Sequence, residues 1–525
     1  MISFARVRSL QVVLWSSVAA ASVFAAPQDG ATTRPEPVVA AFGVSYPAAA
    51  FAGPFTGRVV VYFADADRGP LRREPRFGPD WFRPAPLFGA SIVDLPPDRP
   101  FLWSAAEGVV FPALPERPAK RAYWAQAVLD RNLGGRAIGD SAGNLYSKPQ
   151  RVDFDPAAKL LLEFSCDQVV AAAPFVETDR VKELRAPSAV LSKFYGRPTT
   201  VNAAVVLPAS YGLEPGRRYP TYFSVPGFGG THRGWSGAAL DGGGRRRDPT
   251  SRAGEEFLHV ELDPSCPGGH SVFADSANNG PWGEALIREF LPAFEAEFRA
   301  RAEAGARFVG GHSSGGWSSL WLQVAYPETF GGCWSTAPDP VDFRDFQGID
   351  LYAPQRNLFL DDTGGERPLA RSGGQVLIRF RRFSDMERPL RGEQLGSFEQ
   401  VFSPRLPNGA ARPLWNRETG AIDAETAAAW RPYDLGLKLR TEWPRLRPVL
   451  AGKIHVYMGT EDTFYLDGAA RLLKRDLEAL GAEAVVELFP GDHGSVMTQA
   501  LRRRIDEEIA ATYRRNHGPA ETRGK

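Results

Sequence analysis

The 525-residue chain reads as an α/β protein. A doubly wound, mostly parallel sheet is expected over about 200–515, behind an all-β, sandwich-like domain over about 38–180. Three observations predict this. Between 38 and 180, short alternating or apolar runs are separated by recurring prolines and glycines. After about residue 200, apolar runs alternate with long amphipathic stretches, the βαβ pattern. The length itself exceeds what one ordinary core fills and suggests two or three domains.

Composition narrows the class. Apolar residues make up 43% and charged residues 23%, the balance of a globular protein. With a formal charge of +1 and no long Lys/Arg block, nothing suggests a nucleic-acid partner. The short piece Arg245 to Asp248 follows three glycines and reads as an exposed loop.

At the N-terminus, Arg6 and Arg8 precede the mostly apolar, small-residue run Leu10 to Phe24. Cleavage after Ala25 or Ala26 would make residues 1–25 a signal peptide, giving a periplasmic or secreted protein. No later run is long and apolar enough to span a bilayer. Residues 26 to about 36 read as a flexible mature N-terminus. The cysteines are Cys166, Cys266 and Cys333, an odd number that leaves at least one unpaired. Cys266 and Cys333 follow or lie in candidate strand ends, so a disulfide between them is one reading and three separate buried thiols is the other.

In the β-rich region, Gly57 to Ala64 and Leu160 to Ser165 are strand-like, and Pro75 to Phe82 reads as a loop with aromatic anchors. Lys120 to Gly135 fits either a helix or an extended connector. Asp179 to Arg197 reads as a linker into the strand Thr200 to Leu207. Further strands are expected at Tyr222 to Val225, Phe257 to Leu262, Arg307 to Val309, Gly332 to Ser335, Ile454 to Met458 and Ala484 to Phe489. Helices are expected at Trp282 to Arg301, Gly316 to Tyr326, Leu466 to Leu480 and Ser495 to Asn516. The alternation fades between Pro340 and Gly452, far too long a stretch for an ordinary loop. It lies between the elements that hold the candidate chemistry, which favours a lid or rim over peripheral decoration.

That chemistry centres on Gly311-His312-Ser313-Ser314-Gly315, a G-x-S-x-G pattern. Phe308 and Val309 lead into it and the helix-like Trp317 to Ala325 leads out. A nucleophile elbow needs this strand–turn–helix context, with glycines where Cβ atoms would collide. Ser313 is therefore the candidate nucleophile. Ser314 is a poorer one, since His312 rather than glycine stands two residues before it.

A serine needs a base, and the base an acid that orients it. Of seven histidines, His312 is badly placed for its neighbour's hydroxyl, and His259 and His455 sit in strand-like runs. His493 lies in the polar turn Pro490 to Ser495 after a strand, where α/β sheets carry their sites. The acid is expected after the strand ending at Met458. Asp462 is first choice, with Glu461 and Asp467 behind it, while Asp492 reads as structural. For the oxyanion, the donors are the Ser314 N–H and one from the glycine-rich loop Val225 to Thr231, at Phe228 or Gly229. Candidate substrate contacts are Asn278, Asn279 and Trp282, which could instead cap a helix, and Trp235 and Trp334, which could simply pack. There is no H-E-x-x-H, cysteine cluster or dinucleotide fingerprint, and Gly242 to Arg245 lacks a phosphate-loop ending. Neither metal nor cofactor is implied.

Over about 200–515 the chain resembles the putative-esterase group of the α/β-hydrolase superfamily, with its enterochelin-esterase-like and feruloyl-esterase-like members. The likeness rests on Pro226 to Gly230, Asn279 to Trp282, Gly311 to Gly316, Gly459 to Asp462 and Asp492 to Gly494. It implies an α/β-hydrolase fold and hydrolysis of a small-molecule or carbohydrate-linked carboxylic ester by Ser313, His493 and Asp462 through an acyl-enzyme. Some relatives carry an N-terminal β-sandwich; a compact member lacks a segment such as 340–452. Two alternatives share the motifs. A prolyl-oligopeptidase-type peptidase has the same triad order, but no blade-length repeat precedes residue 180. A non-catalytic binding protein could retain the scaffold.

Overall fold

The apolar run Val59 to Phe63 lies in a strand, Phe55–Asp65, whose successive side chains point to opposite faces. Both faces are apolar because both are covered. Val59, Val61 and Phe63 pack with Phe42, Trp103 and Phe164 in one core. Val60 and Tyr62 enter a second, larger core built mostly by the later half of the chain. This is a computed structural model, and it describes residues 40–68, 71–112, 119–155, 160–240 and 247–518. The signal-like segment 1–25 and Gly242 to Arg245 lie outside those residues.

The strand belongs to a seven-stranded sheet. Its order is Gln168–Val169, Leu145–Tyr146, Arg121–Asp130, Phe55–Asp65, Leu87–Leu95 and Val109–Phe111, with Gln150–Phe154 also paired to Arg121–Asp130. A three-stranded sheet of Phe101–Ser104, Ala40–Ser45 and Leu160–Ser165 supplies the other side of the smaller core. Lys120 to Gly135, left open between helix and connector, is thus mainly a central strand. Residues 125 to 130 are buried on both faces, which erases the alternation that would have marked it.

The later half builds an eight-stranded sheet. Its strands are β1 (Val181–Pro187), β2 (Thr200–Val206), β3 (Thr221–Val225), β4 (Leu258–Leu262), β5 (Arg307–His312), β6 (Gly332–Thr336), β7 (Ile454–Gly459) and β8 (Ala484–Phe489). Their spatial order is β1-β2-β4-β3-β5-β6-β7-β8. Only β2 runs antiparallel to its neighbours. Asp179 to Arg197 is therefore not a linker. It contains edge strand β1 and the helix Ala189–Tyr195, capped by Ser188 and closed by Gly196 at φ +66°. The helices that concern the site are α1 (Ser314–Ala325), α2 (Gln394–Phe402), α3 (Asp467–Ala479) and α4 (Gln499–His517).

The segment 340–452 holds α2, the helices Phe380–Glu387, Ala424–Ala429 and Leu435–Leu450, and the hairpin Pro368–Ser372/Gln375–Arg379. Its aromatics fold it: Trp430 has Phe343, Phe346 and Phe402 around it at 5.9, 5.7 and 5.1 Å between ring centroids. Arg391 joins it to the β-rich region. Its guanidinium grips the buried Asp130 through two contacts, at 2.6 and 2.9 Å. All three cysteines are buried and free, so Cys266 and Cys333 are not bridged. No helix among the described residues is long and apolar enough to cross a membrane.

Candidate active site

Strand β5 ends at His312 and α1 begins at Ser314, so the chain must reverse within one residue. Ser313 absorbs the turn at φ +60° and ψ −126°, a backbone shape that disfavours a side chain. The glycines on either side permit it. A Cβ on Gly315 would overlap the Val225 carbonyl, and one on Gly311 would overlap the Gly315 carbonyl. The turn is pinned by Ser313 N–H donating to Thr336 O at 3.0 Å and by Trp317 N–H donating to Ser313 O at 3.0 Å. Ser313 is thus held at the C-terminal edge of the sheet, at the N-terminus of α1.

Asp462 follows β7 and His493 follows β8, both at that same edge. His493 Nδ1 lies 2.7 Å from Asp462 Oδ2. Asp462 Oδ1 accepts the Phe464 N–H at 2.8 Å, and the side chain has no solvent exposure. Burial alone would lower the His493 pKa, but the hydrogen bond and charge of Asp462, with Asp339 and Asp492 adding to them, outweigh it and raise it. Asp492 shapes the histidine's turn by accepting from the N–H groups of Gly494 and Ser495 at 3.1 and 2.8 Å. Glu461 and Asp467 do not hold the histidine; Asp467 pairs with Arg371 at 2.9 Å. His312 is 4.7 Å from His493 between ring centroids, and burial and that neighbour lower its pKa to about 4.

Ser313, His312 and His493 line one cavity of about 280 Å³. Gly227 and Phe228 of the glycine-rich loop border it. A Cβ on Gly227 would stand 3.2 Å from that of Ser313, so glycine lets the loop approach Ser313. Gly229 instead lines a neighbouring polar pocket. Six of the cavity's residues come from 340–452: Gln347, Leu369, Phe383, Gln394, Leu395 and Phe398. Trp81 of the β-rich region closes another side, edge-on to Phe383 at 5.2 Å.

The five expected substrate contacts do not line this cavity. Trp282 is packed in the core and donates its indole N–H to Asn279 O at 2.9 Å. Asn278 donates to Ser403 O at 2.8 Å. Trp334 stacks on His455 at 4.5 Å and donates to Glu508. Trp235 packs against His259 at 5.4 Å. These large or polar side chains near loops are held by neighbouring chain segments. Sequence reasoning missed Trp81, Gln394 and Asp339. Asp339 had a readable signal, since it stands three residues past β6 at the edge that supplies Asp462 and His493.

A serine on a strained elbow, an imidazole held by a buried carboxylate and this sheet together define an α/β hydrolase. The chain belongs to the "Putative esterase" family, whose model matches residues 196–494, and is a carboxylic ester hydrolase. Among solved structures, it is similar to a ferulic acid esterase at 14% identity, covering 65% of this chain and 100% of that one, with a TM-score of 0.36. An S-formylglutathione hydrolase from Agrobacterium tumefaciens is 17% identical over 64% of this chain and 95% of its own, with a TM-score of 0.35. The ferulic acid esterase AmCE1/Fae1A from Anaeromyces mucronatus, solved with ferulic acid, is 15% identical over 65% and 94%, with a TM-score of 0.33. No curated protein matches the chain.

Proposed function

We propose that the protein is an exported serine esterase that cleaves a carboxylic ester through an acyl-enzyme. The observation that carries this is the 2.7 Å contact of His493 with buried Asp462 on the cavity that Ser313 also lines. His493 Nε2 takes the proton of Ser313 Oγ as that oxygen attacks the ester carbonyl. Asp462 holds the ring and stabilises the imidazolium. The N–H groups of Ser314 and Phe228 face the developing oxyanion. The C–O bond to the alcohol then breaks, and His493 returns the proton to the leaving oxygen. Water, activated by the same imidazole, releases the acid and restores Ser313.

In this reading 38–180 is a sandwich-like domain, 200–515 the catalytic domain and 340–452 its rim. A cavity of about 280 Å³ suits a small acyl or alkoxy group, on a small-molecule or carbohydrate-linked ester. The N-terminal segment 1–25 supplies the export signal. The test is to treat the mature protein with a fluorophosphonate and locate the adduct by peptide mass. Labelling at Ser313 that is lost in His493→Ala supports the reading. Folded protein that takes no label overturns it in favour of a binding role.

A further inference from the structure

The cavity beside Ser313 is walled mainly by apolar side chains, and none of its described lining residues is lysine or arginine. Yet a carboxyl group that the ester-cleaving steps do not need lines it, that of Asp339. The residue is only 5% exposed. Its backbone N–H donates to Ser313 O at 3.3 Å, which fixes it against the nucleophile's own main chain. It is not the acid that orients the base, because His493 Nδ1 is taken by Asp462.

Among the described residues, the hydrogen-bond donors to the Asp339 carboxyl are neutral and address one oxygen. Ser314 Oγ donates to Oδ2 at 2.6 Å, and Gln394 Nε2 approaches the same atom at 3.4 Å. Two glutamines that line the same cavity add acceptors. Gln347 turns its N–H toward Phe464 O at 3.2 Å, as Gln394 turns its own toward Asp339, so both amide orientations are set. The Oε1 atoms of Gln347 and Gln394 then find no partner among the described residues. The cavity's polar lining among the described residues thus leaves acceptors unmatched. Leaving buried acceptors unmatched is costly, so the complementary ligand brings donors.

We propose that Asp339, with Gln394 beside it, is a specificity-determining residue that accepts a hydrogen bond from a donor, a hydroxyl or an ammonium, carried on the apolar arm of the ester. The proposal rests on Ser313 being the nucleophile. Burial raises the Asp339 carboxyl to about 6, against the lowering effect of Ser314 and His493. The titratable groups facing it are His493 and Asp462 from the loops after β8 and β7, with His312 of β5 on the same cavity. Ser314 of α1 and Gln394 of α2 are neutral. Above about pH 6 the group is therefore a carboxylate and selects for a cation as well as for a hydroxyl.

The test compares nitrophenyl alkanoates of graded chain length with their ω-hydroxy and ω-amino analogues, read as kcat/KM ratios. Ratios are needed because Asp339 also holds Ser314, so absolute rates will fall in its variants. At the best length, both analogues should exceed the parent by about tenfold. Asp339→Asn should keep most of the hydroxyl preference and lose the amino preference. Asp339→Leu should lose both. In the unmodified enzyme, the amino-to-parent ratio should rise as pH passes upward through about 6. A purely structural Asp339 would leave every ratio unchanged. Analogues no better than the parent at any length, or preferences that survive Asp339→Leu, overturn the proposal. Should Asp339→Leu not fold, the Asn variant and the pH series decide. If fluorophosphonate does not label Ser313 and the parent ester is not cleaved, the nucleophile assignment falls and this proposal falls with it. Labelling and parent cleavage with flat ratios sink this proposal alone.

Discussion

The Nδ1 atom of His493 stands 2.7 Å from Oδ2 of Asp462, a side chain with no solvent exposure whose other oxygen is occupied by the Phe464 N–H. The pair fixes both the ring's tautomer and its direction. Nδ1 carries the hydrogen, which leaves Nε2 free to accept a proton. An amide in place of this carboxylate would present either a donor to Nδ1 or a weaker acceptor. Asp462→Asn should therefore lower kcat/KM by about three to four orders of magnitude while the far-UV circular dichroism stays unchanged. A loss under tenfold would mean that this carboxylate does not serve the base.

The same pair sets the pH profile. In the proposed role of base His493 must be neutral, and its pKa is raised because the Asp462 hydrogen bond and charge outweigh the opposing effect of burial. The acid limb of kcat/KM should therefore lie above the ordinary histidine value of about 6.5. In Asp462→Asn, burial remains and the chief raising partner is gone, leaving only the lesser effects of Asp339 and Asp492, so the limb should move to lower pH in the residual activity. A limb that moves upward would contradict the balance described.

Ser313 pays for its position in backbone strain, at φ +60° and ψ −126°. Glycine adopts that shape freely and alanine does not. Ser313→Gly and Ser313→Ala should both lose nearly all turnover, yet the glycine variant should be the more stable by about 1 kcal/mol in denaturant unfolding. Equal stabilities would show that the elbow is relaxed. Its neighbours leave no such freedom. A Cβ on Gly315 runs into the Val225 carbonyl, so Gly315→Ala should displace the elbow and yield little soluble protein.

The site's axis was legible in the sequence, because an elbow, an acid loop and a histidine loop each follow an apolar strand run. The strands β3 to β8 were found within a few residues for the same reason. What surrounds the axis was not legible. Trp282 and Trp334 sit close to motif residues in sequence, but their indole N–H groups are spoken for by Asn279 and Glu508. Trp81 lies 232 positions before Ser313 and lines the same cavity, a juxtaposition that no local pattern encodes. The strand Arg121–Asp130 was ambiguous because burial on both faces removes period-2 alternation.

Trp81 gives that long-range contribution a direct test. Among the described residues it is the cavity's one lining residue from before position 227, and it packs against Phe383 and Phe464, so it closes part of the wall. Trp81→Ala should enlarge the cavity, raise KM for short-chain esters about tenfold, and improve the relative kcat/KM for bulkier acyl groups. His493 and Asp462 are untouched, so fluorophosphonate should still label Ser313. An unchanged chain-length profile would show that Trp81 does not bound the substrate.

Arg391 tests whether the β-rich region and the 340–452 segment act as one wall. Its guanidinium meets Asp130 at 2.6 and 2.9 Å, and Nη1 also donates to Gly135 O and Pro267 O at 2.9 Å each. Asp130 is nearly without exposure, so Arg391→Met leaves a buried carboxylate with Asn144 and the Asn132 N–H as its hydrogen-bond partners among the described residues, and with Arg58 as the nearby cation that remains. Breaking one side of such a pair costs about 3–5 kcal/mol, more than the attraction itself is worth, because the remaining charge stays desolvated. Removing that charge as well, in Arg391→Met with Asp130→Asn, should recover a substantial part of the loss. Arg391 also lies just before α2, which carries Gln394 into the cavity. Loosening it should therefore raise KM while leaving the fluorophosphonate reaction at Ser313 intact. Stability lost without any change in KM would make the clasp a fastening of the fold alone, separate from the shape of the pocket.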